Sequence, residues 1–254
     1  MIISYRHRFI FLHCRKVAGS AMQIHLARFL GPDDILLGTR DDLDDHGVRQ
    51  TRRFYRDVFS PLGLRSLGRR FLRKPAVVGP GRIRDTLGRV QKDVYARRLG
   101  PYSGHAPAAH VRDFDPEAWR DFVKFCFVRN PYERAVSDYI WRIKSRERDL
   151  GFREFLEQVR DSRAQEPAES PRYDNWPIYT IDNRIAVDEV GRYENLADDF
   201  ARICGRIGIP DKGLPVAKKV LASYDYRDYY GDAEKTLVED IYGHELETFG
   251  YRFE

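Results

Sequence analysis

Two short apolar runs, each followed by a segment with helical periodicity, dominate the hydrophobic pattern of the chain. The first run covers roughly residues 7–13, and the apolar spacing after it predicts an amphipathic helix over about 19–30. The second run covers residues 122–128, is apolar on both faces save for one lysine, and precedes a predicted helix over 131–148. The pattern therefore predicts two strand–turn–helix units.

Weaker periodicity predicts further elements along the rest of the chain. They are a loop or exposed helix start at 41–45, a short helix over 151–160, a strand over 185–190, and helices over 196–207 and 232–249. Residues 50–100 are predicted to be irregular, an insertion-like region rich in arginine and glycine. Residues 161–175, which carry two prolines, are predicted to form a mobile loop.

The alternation of strands and helices predicts the fold class. It is typical of an α/β domain with a central parallel sheet and helices on both faces, and we expect a single domain over residues 1–254. Ligands of such sheets bind at the carboxyl ends of the strands. The turns after residues 13 and 128 both lie at such ends, so we expect them to face one crevice.

Composition narrows the class of protein. Hydrophobic residues make up 42% of the chain, enough for a core, and no apolar run approaches the roughly 20 residues that cross a membrane. The chain starts without a signal-like cleavage region. Its three cysteines are far apart and show no metal-ligand spacing. We therefore expect a metal-free protein of the reducing cytoplasm.

Positive charge is concentrated in one part of the chain. Residues 65–98 hold eleven basic and two acidic residues, whereas the whole chain has a net charge of +5. A block of this kind attracts polyanions, such as an acidic polysaccharide, a nucleotide, anionic lipid or nucleic acid, or it serves as a solvated surface. Aromatic residues are sparse in this block, which argues against a platform for single-stranded nucleic acid, and no nucleic-acid partner is expected.

The turn after the first strand carries the chemistry of an anion site. Arg15-Lys16-Val17-Ala18-Gly19-Ser20-Ala21 joins the predicted strand to the helix N-terminus. Free N–H groups and the helix dipole favour a phosphate or sulfate there, and Lys16 and Ser20 add a cation and a donor. An ordinary turn with a surface lysine is the alternative.

The turn after the second strand carries an arginine and, eight positions on, a serine. Arg129-Asn130-Pro131 ends the strand, with Pro131 suited to the first turn of a helix, and Ser137 lies two turns into that helix. An arginine fork and a serine hydroxyl suit a phosphate. The alternative is an arginine paired with a nearby carboxylate and a serine that only packs.

Together the two turns resemble those of the PAPS-dependent sulfotransferases, where PAPS is 3'-phosphoadenosine-5'-phosphosulfate. The run Arg15–Ala21 is similar to the loop that binds the 5'-phosphosulfate, although Arg15, Val17 and Ala21 depart from that pattern. Arg129 and Ser137 match the pair that holds the 3'-phosphate. Three C-terminal stretches resemble the bacterial and carbohydrate branch of the family: Gly191–Leu196, Asp228–Tyr230 and Phe249–Tyr251.

The resemblance implies a sulfotransferase fold with a P-loop-like sheet, and an enzyme that moves a sulfuryl group from PAPS to a hydroxyl of a carbohydrate or polysaccharide without a metal. It implies that Lys16 acts on the leaving phosphate and the transferring group. It also favours His105, in Ser103-Gly104-His105, as the base that accepts the hydroxyl proton, with His110 second. His13 is interpreted as a strand residue.

Further nucleotide contacts are less specific in sequence. Arg192 and Tyr193 follow a predicted strand and could approach the adenosine, or they could pack. Lys218 and Lys219 lie where related sulfotransferases carry a basic loop that closes over the cofactor, and they could equally be surface charge.

Two other functions stay open at this point. One is a P-loop-like nucleotide kinase, although the Gly-x-x-x-x-Gly-Lys-Ser/Thr pattern is missing from the chain. The other is a catalytically weak polyanion-binding protein on a sulfotransferase scaffold, which the altered first turn favours.

Overall fold

The computed structural model describes residues 1–38, 40–73, 83–146, 150–165, 173–215 and 224–254. The strands are β1 (Ile2–Ser4), β2 (Phe9–Phe11), β3 (Ile35–Leu36), β4 (Val123–Val128), β5 (Thr180–Ile181), β6 (Arg184–Ile185) and β7 (Glu189–Arg192). The helices are α1 (Gly19–Ala27), α2 (Arg40–Asp45), α3 (Arg52–Val58), α4 (Pro61–Arg73), α5 (Ile83–Leu99), α6 (Ala108–Phe114), α7 (Pro116–Asp121), α8 (Pro131–Arg146), α9 (Phe152–Gln165), α10 (Trp176–Tyr179), α11 (Leu196–Arg206) and α12 (Asp232–Phe249).

Five strands form the central sheet, in the order β3-β1-β2-β4-β7. β2 and β4 are parallel, with Phe11 opposite Phe125, and β4 and β7 are parallel, with Val128 opposite Arg192. β1 is antiparallel to both of its neighbours, so four of these five strands point the same way. The α/β class is confirmed and the predicted central sheet is mostly parallel, with the antiparallel β1 as the exception. The periodicity of the first run does not reveal the hairpin that β1 makes with β2.

α1 is buried almost all round, and it is not the amphipathic helix that the spacing predicts. Its polar residues Gln23 and His25 are buried too, and their hydrogen-bond partners are backbone carbonyls of the same chain. The amide of Gln23 donates to the Leu37 carbonyl, and His25 bonds with the carbonyls of Pro210 and Gly213. A helix held on all sides keeps its N-terminus in a fixed position beside the sheet.

The region expected to be irregular between residues 50 and 100 is helical where it is described. It forms α3, α4 and α5, and Thr51 caps α3 by accepting a hydrogen bond from the Phe54 amide. Phe54, Val58 and Val90 form a small buried cluster that joins these helices. The high arginine and glycine content hides this helical spacing in the sequence.

The other predicted helix and strand boundaries agree with the structure to within a few residues, except at the strand over 185–190 and the loop over 161–175. α12 spans the predicted residues, and α11 ends one residue earlier than expected. The expected strand over 185–190 starts later, as β7. α9 continues to Gln165, so the first part of the expected loop over 161–175 is helical, and residues 166–172 lie outside the described residues.

The two cysteines expected to behave as small buried hydrophobes do so. Cys14 and Cys126 are fully buried in the core and form no disulfide. Across the ranges given above, no helix is both long enough and apolar enough to span a membrane.

Candidate active site

The segment between β2 and α1 has the backbone geometry of an anion-binding loop. Lys16 and Ala18 both adopt left-handed conformations, with φ of 62° and 60°, and α1 begins at Gly19. Left-handed residues alternating with others turn successive N–H groups toward one concave side, where an anion is bound. Such conformations are strained for residues other than glycine, and strain of this kind concentrates at functional sites.

A buried asparagine from a distant part of the chain holds this loop in place. Asn175 lies just before α10 and is 1% exposed. Its side-chain oxygen accepts from the Arg15 amide at 2.8 Å, and its Nδ2 donates to the Arg15 carbonyl at 3.1 Å. Because one side chain satisfies both backbone groups, Arg15 is fixed immediately before the strained residues.

Arg129 follows β4, which is paired with β2, and its side chain reaches the loop. Its Nη1 donates to the Lys16 carbonyl at 3.2 Å, and its Nη2 donates to Glu133 at 2.5 Å. The ring of Tyr193 lies under the guanidinium, 4.0 Å from the Cζ atom to the ring centroid. Burial lowers the pKa of Arg129, but Glu133 more than offsets this, so the pKa lies above its usual value.

The Nε atom of Arg129 remains available for a ligand. The side chain is 7% exposed, and this buried donor has no hydrogen-bond partner among the residues that the structure describes. Buried donors are nearly always paired, and a bound ion is one of the explanations for an orphaned one. The orphan lies beside the anion-binding loop, where a phosphate oxygen would satisfy it.

One face of α8 lines the same region. Glu133, Ser137 and Trp141 are four residues apart, so they lie on one face of the helix. Glu133 contacts Arg129, and the Trp141 ring lies 5.6 Å from the Lys16 ammonium. Ser137 is half-buried and lies between these two contacts along the helix. By this spacing Ser137 lies on the same face of α8 as Glu133 and Trp141, the two residues that contact Arg129 and Lys16.

Two histidines lie together at the start of the loop. The ring centroids of His13 and His105 are 4.6 Å apart, and the His105 Nδ1 lies 2.6 Å from the His13 carbonyl oxygen. The His13 ring occupies the space over Gly19, where an added Cβ would lie 1.9 Å from Nε2. Only glycine fits there. His13 is therefore not a strand residue, because β2 ends at Phe11.

Both imidazoles are held neutral. Burial lowers the pKa of His13 well below its usual range, and the neighbouring His105 adds to the effect. Burial also lowers the pKa of His105, and so does the positive charge of Arg15. Because a backbone carbonyl accepts at Nδ1 of His105, that nitrogen carries the proton and Nε2 is left as the basic atom. The second candidate, His110, has a buried Nδ1 without a hydrogen-bond partner among the described residues.

Positive charge is the dominant electrostatic feature of the site. Arg15 has its guanidinium 5.2 Å from the Tyr102 ring centroid. Burial, aided by Arg142, lowers the pKa of Arg15 to about 10, although Asp138 acts in the opposite sense. Arg15 therefore stays cationic at neutral pH, and so does Arg129. Within the described part of the chain, no group of three or more histidine, cysteine or acidic side chains is placed to hold a metal ion.

The last predicted nucleotide contacts differ in their placement. Arg192 donates to the Phe249 carbonyl at 2.9 Å, and its guanidinium lies 5.1 Å from the Tyr251 ring, so it ties β7 to the C-terminal segment. Tyr193 lies against Arg129, as described above. Lys218 and Lys219 lie outside the described residues.

The sequence does not predict three of the residues that lie at the site: His13, Asn175 and Trp141. A histidine at the end of an apolar run looks like part of the strand. Asn175 lies some 160 positions from its partner Arg15, and no local pattern connects them. Trp141 has the one sequence signal that was usable, because it continues the four-residue spacing from Glu133 through Ser137.

Comparisons with known proteins show the family of the chain. A protein of Archaeoglobus fulgidus, described as an uncharacterized protein, is 33% identical over 107 residues, which cover 42% of this chain and 83% of the relative. No solved structure matches the chain. The family model described as "Sulfotransferase family" matches residues 1–252, from the first strand to the C-terminal segment, and the chain therefore belongs to the sulfotransferase family.

Proposed function

We propose that the protein transfers a sulfuryl group from PAPS to a hydroxyl group of a carbohydrate. The family supports sulfuryl transfer in general. The observation that carries the finer proposal is the contact between Arg129 and the Lys16 carbonyl. It joins the segments that follow two parallel strands, β2 and β4, and each segment carries a basic residue.

The residues present fit a doubly phosphorylated adenosine. Backbone N–H groups of residues 16–19 and the Lys16 ammonium suit the 5'-phosphosulfate. The buried Nε of Arg129 and the Ser137 hydroxyl suit the 3'-phosphate. Tyr193 packs on the Arg129 guanidinium and keeps it in one orientation. Arg192, Lys218 and Lys219 stay predictions for the adenosine and its cover.

When bound, the nucleotide supplies the sulfuryl group and a phosphate leaving group. Lys16 neutralises negative charge on the leaving oxygen, and the N–H groups of the loop do the same without having to reorganise. Nε2 of His105 accepts the proton of the acceptor hydroxyl, for which a neutral imidazole is required. His13, 4.6 Å away by ring centroids, packs against His105 and Gly19 and holds the base beside the loop.

Exposed aromatic rings support a sugar as the acceptor. Trp141 is 49% exposed beside the Lys16 ammonium, and Tyr102 is 38% exposed beside Arg15. Aromatic rings combine a large apolar face with polar edges, and the C–H faces of sugar rings pack on such surfaces while their hydroxyls stay available. Arg15 and Lys16 add attraction for an acceptor that is itself acidic.

Two measurements test the proposal and separate it from its alternatives. Titration calorimetry compares 3'-phosphoadenosine 5'-phosphate with ATP, and we expect the former to bind more tightly, because ATP has no 3'-phosphate for Arg129. Tighter binding of ATP would indicate a nucleotide kinase. Transfer of radiolabelled sulfate from PAPS to a panel of sugars, phenols and lipids tests turnover. Nucleotide binding without any transfer would indicate a polyanion-binding protein on this scaffold.

A further inference from the structure

The outer face of α4 is apolar although it faces solvent. Leu64, Phe71 and Leu72 are 51%, 52% and 82% exposed. Their positions, with the exposed Gly68 between them, recur every three or four residues, so they form one stripe along a helix of about 20 Å. Single exposed apolar residues are common on protein surfaces, but a continuous stripe marks an interaction site.

The inner face of α4 attaches to the protein largely through polar contacts. Ser66 donates to Asp93 of α5, and Arg70 donates to the same carboxylate at 2.7 and 2.9 Å. Leu67 adds partly buried packing against the cluster of α3 and α5. A helix that places polar residues inward and leucine and phenylalanine outward is arranged for a second, apolar partner on its outer side.

The charges beside the stripe identify the kind of partner. Arg65 and Arg69 are exposed, border the apolar stripe, and form no ion pair within the described ranges. α4 contains no acidic residue. An apolar stripe bordered by arginine is the arrangement of a helix that lies in the interface of an anionic membrane, with the apolar side chains among the acyl chains and the guanidinium groups at the headgroups.

We propose that the outer face of α4 docks on the surface of an anionic lipid bilayer. An acidic polysaccharide would pair with Arg65 and Arg69 but would leave Phe71 and Leu72 in water. A second copy of the chain, docked stripe to stripe, would bring the arginines of both helices together and cost repulsion. Anionic lipid satisfies both the apolar and the cationic residues. This proposal is independent of the reaction at the candidate active site.

Co-sedimentation of the full chain with vesicles tests this docking. We compare vesicles of phosphatidylcholine mixed with phosphatidylglycerol against vesicles of phosphatidylcholine alone. The variant Arg69→Glu/Leu72→Ser changes the stripe, and its matched control, Arg184→Glu/Ile185→Ser, makes the same two changes at exposed neighbours on β6. We expect binding to the mixed vesicles only, reduced about tenfold or more in the α4 variant and unchanged in the β6 variant.

Two further variants separate the charge from the apolar stripe. Arg65→Glu/Arg69→Glu and Phe71→Ser/Leu72→Ser should each weaken vesicle binding, while leaving thermal unfolding and binding of 3'-phosphoadenosine 5'-phosphate unchanged. The proposal is overturned if the wild type does not bind mixed vesicles, or if either variant binds them as the wild type does. Retention on heparin without vesicle binding would indicate a polysaccharide instead. Dimerisation in light scattering that Phe71→Ser/Leu72→Ser abolishes, again without vesicle binding, would indicate a second copy.

Discussion

The guanidinium of Arg129 donates a hydrogen bond to the backbone carbonyl of Lys16, across 113 residues of sequence. The contact does two things at once. It supports the loop at a residue with positive φ, and it holds against the loop a guanidinium whose buried Nε has no partner among the described residues. The loop after β2 and Arg129 are therefore in direct contact, so under the proposed function a change in one should affect the other in a way that depends on the ligand.

Replacing Arg129 by methionine should weaken the binding of 3'-phosphoadenosine 5'-phosphate far more than the binding of adenosine 5'-phosphosulfate. The lost charge-assisted hydrogen bonds correspond to a rise in Kd of about tenfold to hundredfold for the first ligand. The second ligand lacks the 3'-phosphate and reports only the indirect effect on the loop. Calorimetry measures both, with the exposed Arg206→Met as the control. Equal losses for the two ligands would contradict the 3'-phosphate assignment.

Replacing Lys16 by methionine should lower kcat at least about hundredfold, the usual cost of removing one group that stabilises charge in the transition state. The backbone strain at φ 62° is the same for both residues, so the fold should be retained. Radiolabelled-sulfate transfer gives the rate, and circular dichroism gives the fold. The exposed Lys212→Met should be fully active. A wild-type rate for Lys16→Met would remove this residue from the mechanism.

The histidine pair predicts the pH dependence. A base is active when neutral, and the folded-state pKa of His105 lies well below 6.5, because burial and then Arg15 disfavour its protonated form. The acid limb of kcat/KM should therefore lie below pH 6.5. Arg15→Met removes the positive charge and raises the pKa of His105, so the acid limb should move to higher pH, whereas Arg15→Lys should leave it in place.

In the proposed site Arg15 also contributes to ligand binding. Its replacement therefore changes the size of kcat/KM as well as the pH at which the acid limb lies, and only the second change reports the pKa of His105. NMR titration of the His105 ring protons, assigned with His105→Gln, measures the same pKa without turnover. Arg112→Met, an exposed-arginine change on α6, provides the comparison. If the imidazole titrates alike in Arg15→Met and the wild type, His105 does not sense Arg15 and the proposed arrangement of the base is wrong.

The sequence predicts those parts of the molecule that depend on interactions between neighbouring residues. The turn after β2 and the turn that carries Arg129 follow from a strand end and a helix start, which neighbouring residues indicate. The reversal of β1 and the enclosure of α1 depend on partners far along the chain. His25 shows why, because its ring bonds with carbonyls about 185 positions away. A residue pattern cannot show which distant groups satisfy a buried side chain.

The same limit explains Asn175, whose importance can be tested directly. Asn175→Asp keeps the acceptor for the Arg15 amide but loses the donor to the Arg15 carbonyl. We expect a stability loss of about 1–3 kcal/mol and a rise in KM for the nucleotide larger than the fall in kcat. Asn183→Asp makes the same change at an exposed site that only accepts from Trp176, and it should alter neither. A stability loss with unchanged KM would limit Asn175 to a structural role.

Remote from the loop, a buried ion pair holds α8 to α12, and it gives the largest expected stability effect. Arg134 and Glu245 are 4% and 3% exposed, with Nη1 and Oε1 2.8 Å apart, and the Tyr179 hydroxyl donates to the same carboxylate. Burial lowers the pKa of Arg134, but the charge of Glu245 more than offsets this and raises it above its usual value, so the arginine stays charged when folded.

Glu245→Gln should destabilise the protein by about 3–5 kcal/mol, because it leaves a buried charge without its partner. Arg134→Met/Glu245→Leu removes both charges and should cost less than Glu245→Gln alone. Urea unfolding measures each free energy, and Glu157→Gln, in the exposed pair with Arg153, should change stability by less than about 1 kcal/mol. If the double variant loses more stability than Glu245→Gln alone, the pair contributes attraction beyond its desolvation cost, and α8 and α12 are joined by charge rather than by packing.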